Sequence, residues 1–148
     1  MTYSADSGSF PDVNVWIAIA SDRHVHHDLA RQWFDSAVAP VCFCRVTQMA
    51  FLRLLTNRKV MGEDSLTPAG AIAVYRQLAS DERVNFATEP PNVESAWISL
   101  IGAREASGST WTDAYLAAFA LEAGFRLISF DKGMRHWPAL VVEVLGPV

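Results

Sequence analysis

Three aspartates, Asp12, Asp113 and Asp131, are the residues of this 148-residue chain whose type and placement could do chemistry together. Asp12 directly follows the short apolar run SGSFP, and Asp131 directly follows RLISF. Asp113 stands in the first turn of TWTDAYLAAFALEAG, the clearest helical stretch. Three neighbouring carboxylates repel one another unless a cation lies between them, and hard oxygen ligands suit magnesium or manganese. Ions of that kind, about 3.5 to 4 Å apart when paired, activate water and stabilise the leaving oxygen of a phosphodiester. Singly, each acid also has an ordinary use: Asp12 as a helix cap, Asp113 at the positive end of a helix dipole, Asp131 in the Asp-Lys-Gly turn. The combination is what suggests a site.

Such convergence depends on the elements that carry the acids. SGSFPDV reads as a short first strand running into NVWIAIA, a helical turn or two. HHDLARQWFDSAV follows, with Leu29, Ala30, Trp33, Phe34 and Ala37 spaced along one helical face. PVCFC is a buried second strand, RVTQMAFLRLLTN a helix, KVMGEDSL a connector, and TPAGAIAVYRQLAS a helix capped by Thr67 ahead of Pro68. RVNFAT is a third strand and NVESAWISLIGAREA a helix opened by Asn92. Gly124 closes the next helix, RLISF is a fourth strand, DKGM a turn, and VVEVL a last strand. Strands spaced by helices predict a three-layer α/β fold around a mostly parallel sheet. Ligands of such sheets bind at the carboxyl ends of the strands, and helix N-termini return to that edge. Asp12, Asp113 and Asp131 are therefore expected to meet there.

With 51% hydrophobic and 19% charged residues the chain can bury one core, and no repeat or Gly/Ser linker divides it, so residues 1–148 read as one domain. No apolar run is long enough to span a membrane, and MTYSADSGSFPDV lacks the basic start of a secretory signal, which predicts a cytoplasmic protein. Cys42 and Cys44 are two apart on one strand, poorly placed for a disulfide, and are expected to be buried free thiols. A net charge of minus four argues against binding nucleic acid through bulk positive charge. A metal among the acids would offset that objection, leaving local cations to touch phosphates.

Taken in order, PDVNVWIAI, HVHHDLARQWF, VTQMAFLRLLTN, TDAYLAAFA and LISFDKGM resemble the PIN-domain toxins of the VapC family, from about residue 10 to the end and least closely over 59–92. The resemblance implies a PIN-like α/β/α fold and a magnesium-dependent (or manganese-dependent) endoribonuclease. It further implies the toxin half of a type II toxin–antitoxin pair, with a small cognate antitoxin as inhibitor and structured RNA as substrate. By the family motif Asp12 and Asp113 become the principal metal ligands, Asp131 completes the acidic set, and Asn14 orients Asp12 or a bound water. One residue departs from the pattern. Gln48 occupies the helix position where the family usually has a fourth acid, and an amide cannot act as a general base. Glu105 is a conceivable substitute, but the end of its helix is expected at the opposite edge of the sheet.

His24, His26 and His27 invite a zinc reading, yet no further ligand has suitable spacing, and a solvated helix start is expected; His136 reads as structural. Lys132 and Arg135, close behind Asp131, could position a phosphate, whereas Arg45, Arg53, Arg58 and Lys59 read as solvated charge. Trp111 could stack on an unpaired base, but anchoring its helix is the expected use. Trp16, Phe51, Trp97 and Phe119 read as core or interface, and five tryptophans favour a homodimer or an antitoxin groove. Two other functions compete. A signalling receiver needs an aspartate after a middle strand, where VNFAT has none; a binding protein without catalysis is motivated by Gln48.

Overall fold

The computed structural model describes residues 7–146. Five strands form one sheet: β1 (Ser9–Pro11), β2 (Val41–Phe43), β3 (Val84–Phe86), β4 (Arg126–Ser129) and β5 (Val142–Val144). Their order is β3-β2-β1-β4-β5, and every pairing is parallel, one step beyond the mostly parallel sheet expected. Seven α-helices connect them: α1 (Val13–Ala20), α2 (His27–Ser36), α3 (Arg45–Leu55), α4 (Arg58–Met61), α5 (Pro68–Ala79), α6 (Val93–Gly102) and α7 (Thr110–Ala123).

Alternation along the strands divides the apolar residues between two cores. Val41, Phe43, Val84 and Ile128 face α1, α2, α3 and α5, where Trp16 stacks on Phe43 with ring centroids 3.8 Å apart. Phe10, Cys42 and Leu127 face α6 and α7, with Phe119 stacked on Phe10 at 4.9 Å. Cys42 and Cys44 lie buried and unpaired on this second face, as their spacing required. Buried aromatic rings of this size dominate core energetics, each contributing on the order of 2 to 3 kcal/mol by area. The indole N–H of Trp16 is the exception to good pairing, buried with no acceptor among the described residues.

Local signals shaped most helix ends. Thr67 Oγ1 accepts the Gly70 N–H at 3.1 Å ahead of Pro68. Gly124 takes the left-handed φ of 73° that a residue with a side chain resists, and turns the chain into β4. Asn92 also adopts a left-handed φ, of 73°, but its side chain does not cap α6. The stretch read as a plain connector holds α4 and a 3₁₀ turn over Gly62–Asp64, and α6 ends at Gly102, short of the expected Ala106.

Topology decides where function can sit. The chain builds β1, β2 and β3 outward in one direction, then crosses back to place β4 and β5 on the other side of β1. Strand order therefore reverses between β1 and β4, and the crevice beyond their carboxyl ends is the place where open parallel sheets bind ligands.

Candidate active site

Pro11 of β1 pairs in register with Ile128 of β4, and the Asp12 N–H donates to the Ile128 carbonyl at 2.9 Å. That pairing brings the residues following both strands to one point. Asp12 is the N-cap of α1, with Oδ1 accepting the Val15 N–H at 3.3 Å. Its Oδ2 accepts the Ser129 hydroxyl at 2.5 Å. Ser129, fully buried at the end of β4, also accepts the Asp131 N–H on its Oγ at 2.9 Å. One hydroxyl thus joins the acids that follow the two central strands.

Asp113 enters from α7, whose N-terminus lies at the same edge. Its carboxylate is half-buried, and Oδ2 accepts the Ser109 hydroxyl at 3.0 Å. Asp131 is exposed, and its Oδ1 accepts the Gly133 N–H at 2.8 Å where a 3₁₀ turn begins at Lys132. Each acid therefore also fills the ordinary capping or turn role open to it.

Electrostatics links the three. Burial raises the Asp12 carboxyl from 3.8 to about 6; the Ser129 and Val15 hydrogen bonds oppose that rise, and the charge of Asp113 adds to it. Asp113 is likewise raised, first by burial and then by the charge of Asp131, against the lowering effect of Ser109. Among the described residues the ion pairs involve Asp64, Asp35, Asp81 and Glu143, so no basic side chain neutralises this trio. Mutually repelling oxygen donors, two of them half-buried, without a basic partner are the chemistry a hard divalent cation fits. In their present positions, however, no three His, Cys, Asp or Glu side chains among the described residues form a ready-made ion cage.

The other anticipated residues are less central. Asn14 is exposed on the first turn of α1; its backbone N–H favours the charged form of Asp12, and no hydrogen bond joins its side chain to that carboxylate. Gln48, half-buried on α3, accepts Arg45 Nη1 at 2.5 Å on its Oε1. Lys132 and Arg135 are exposed just beyond Asp131. Trp111 anchors its helix, as expected: its carbonyl accepts the Trp97 indole N–H at 2.9 Å, its ring meets Trp97 edge to face, and 53% of the residue is exposed.

Of the histidines, His24 Nδ1 accepts the His26 N–H at 3.0 Å, His27 Nδ1 lies 2.7 Å from the Ala18 carbonyl, and His26 stacks on Phe130. His26 and His27 do start α2, but all three rings are half-buried where solvated ones were expected. Glu105 follows the end of α6, where its neighbour Arg104 donates to the His136 carbonyl at 2.7 Å and covers the Trp137 ring at 3.6 Å. His136 and Trp137 lie partway between the carboxyl end of β4 and the start of β5, so the loop after α6 packs beside that crossover. Glu105 itself is exposed. Ser129 and Ser109 escaped sequence reasoning altogether. The adjacency of Ser129 to the Phe-Asp of LISFD was the one available hint.

A model of the PIN domain matches residues 9–140. Ribonuclease VapC41 of Mycobacterium tuberculosis is 39% identical over 141 residues, which cover 91% of this chain and 97% of that protein. The fold is shared with VapC20 of the same organism, described as a sarcin-ricin loop cleaving toxin, at a TM-score of 0.67 with 21% identity over 93% of this chain and 99% of the other. It is shared as well with a toxin–antitoxin complex from Klebsiella pneumoniae, at a TM-score of 0.60 with 16% identity over 90% and 95%. This chain belongs to the PIN-domain family, in its VapC branch.

Proposed function

We propose that this protein is a magnesium- or manganese-dependent endoribonuclease and the toxin half of a toxin–antitoxin pair. The observation that carries this reading is the electrostatic coupling of Asp12, Asp113 and Asp131 at the point where strand order reverses, with no basic residue paired to them. Asp12 and Asp113 would hold the ion, and Asp131 would complete the acidic set. Such a cation, when bound, supplies an activated water and stabilises the leaving oxygen, so that cleavage leaves a 5′-phosphate and a 3′-hydroxyl.

The chain's own residues prepare that chemistry. Ser129 orients Asp12 and, by donating to it, favours its ionised form. Ser109 does the same for Asp113. Lys132 and Arg135 stand free in solvent close to Asp131, where they can take a substrate phosphate. Gln48 can hold a water or a donor but cannot accept a proton.

The substrate class is structured RNA, in keeping with the ribonuclease names of the relatives. The partner is a small antitoxin that places an arginine among the aspartates, cancelling their charge and displacing the metal. The toxin acts as a homodimer, a reading supported by the partly exposed Trp111 among its five tryptophans; no described helix is long and apolar enough to cross a membrane.

The deciding experiment incubates the protein with total RNA and manganese beside Asp12→Ala and Asp113→Ala. Cleavage by the parent is expected to stop with EDTA and to fall at least a hundredfold in both variants. Equal cleavage by all three proteins, or none by the parent, removes the nuclease and leaves a binding protein. A cognate partner that left cleavage intact when bound would remove the inhibitory role alone.

A further inference from the structure

Arg45, the first residue of α3, is exposed, yet it is held in place. Its guanidinium lies 4.7 Å from the centre of the Phe86 ring, and its Nη1 donates to Gln48 Oε1 at 2.5 Å. Among the described residues the ion pairs use Arg23, Arg31, Arg83 and Arg126, so Arg45 has no carboxylate partner. Both of its supports are neutral. They restrict a flexible side chain without cancelling its charge, and most of its five N–H donors are left for another acceptor.

Its position gives that charge a use. Arg45 follows β2, which lies beside β1 in the sheet, so it shares the carboxyl edge with Asp12 at a remove of one to two strand spacings, each about 4.8 Å. An RNA strand whose scissile phosphate sits at the aspartates would pass neighbouring phosphates along this edge. Planar guanidinium groups grip phosphate oxygens in pairs, and such contacts set the register of a nucleic acid.

We infer that Arg45 is a positioning residue that grips an RNA phosphate next to the scissile one, with Gln48 as its neutral orienting partner; this rests on the ribonuclease reading above. The inference gives the amide at 48 a purpose. A glutamate there would pair with Arg45 and neutralise it, whereas glutamine aims the guanidinium and leaves its charge to the substrate. On this account Gln48 is matched to Arg45 and is not a damaged acid.

The test uses the full chain and a fluorescein-labelled stem-loop RNA, with binding followed by anisotropy in EDTA across a salt series, and cleavage measured separately with manganese. Arg45→Ala is expected to weaken binding about tenfold and to flatten the log–log salt slope by roughly 0.7 to 0.9, the loss of one phosphate contact. Arg45→Lys should recover the slope but only part of the affinity, since an ammonium keeps the charge without the planar fork. Gln48→Glu should weaken binding roughly threefold and flatten the slope too, at an unchanged melting temperature. Unchanged affinity and slope in Arg45→Ala, while the parent still cuts RNA, would overturn this inference alone. Faster cleavage by Gln48→Glu with unchanged binding would also overturn it, marking the amide as a lost acid. A parent that neither bound nor cut RNA would remove this inference and the ribonuclease reading together.

Discussion

Ser129 Oγ donates to Asp12 Oδ2 at 2.5 Å, joining residues 117 positions apart in the chain. The same oxygen accepts the Asp131 N–H, so a single buried hydroxyl sets the spacing of two acids carried on adjacent parallel strands.

Replacing Ser129 by Ala should disturb Asp12 before it disturbs the fold. The carboxylate loses its largest stabilising hydrogen bond, so its pKa should rise further, and the acidic limb of the pH–rate profile should move to higher pH. Stability should drop by about 1 to 2 kcal/mol, the range for orphaning buried polar groups. Urea titration and a pH–rate profile read the two effects separately. An unmoved acidic limb would show that the hydroxyl only packs.

Asp12 itself should trade stability against function. In EDTA the carboxyl titrates near 3.8 in the unfolded chain and at about 6 in the folded one, so the folded state binds the proton more tightly. The stability contributed by that protonation is fully present below about pH 4 and is lost as pH rises through about 6. Asp12→Asn removes the buried charge and should melt about 2 to 4 °C higher than the parent at neutral pH in EDTA, equivalent to roughly 1 kcal/mol in a domain of this size. The variant should also lose any rise in melting temperature that manganese gives the parent. Scanning calorimetry with and without the ion checks both, and a less stable metal-free variant would contradict the account.

Arg83 should matter for stability and not for catalysis. Its guanidinium pairs with Asp81 at 2.9 Å, donates to the Phe34 and Ala37 carbonyls at the end of α2, and lies 4.4 Å from the Phe34 ring centre. The hydrogen bonds from Arg83 hold the Asp81 carboxyl down at about 2. Arg83→Ala should destabilise by about 2 kcal/mol after allowance for partial exposure, chiefly through the Ala37 carbonyl that loses its donor and the lost pairing with Asp81. At a temperature where the variant stays folded, its cleavage rate should match the parent's. A large fall in rate in the folded variant would mean that this side of the fold reaches the substrate.

The chain's pattern by itself determined the alternating α/β architecture, the buried cysteines, the Thr67 and Gly124 helix ends, and the placing of Asp12 and Asp131 just after strands. Those features follow from periodicity, backbone preference and local capping, which act over a few residues. The motif set from Pro11 to Met134 also pointed to the PIN family, which the whole-length match bears out.

Only the tertiary structure decided the rest. The reversal of strand order between β1 and β4, the link through Ser129, the support of Asp113 by Ser109 and the seat of Arg45 over Phe86 all depend on which distant elements become neighbours. Serine and arginine side chains carry no local sign of their eventual partners. Whether a hydroxyl orients a carboxylate or merely fills a strand is settled by sheet register, an outcome of packing that no short window of sequence encodes.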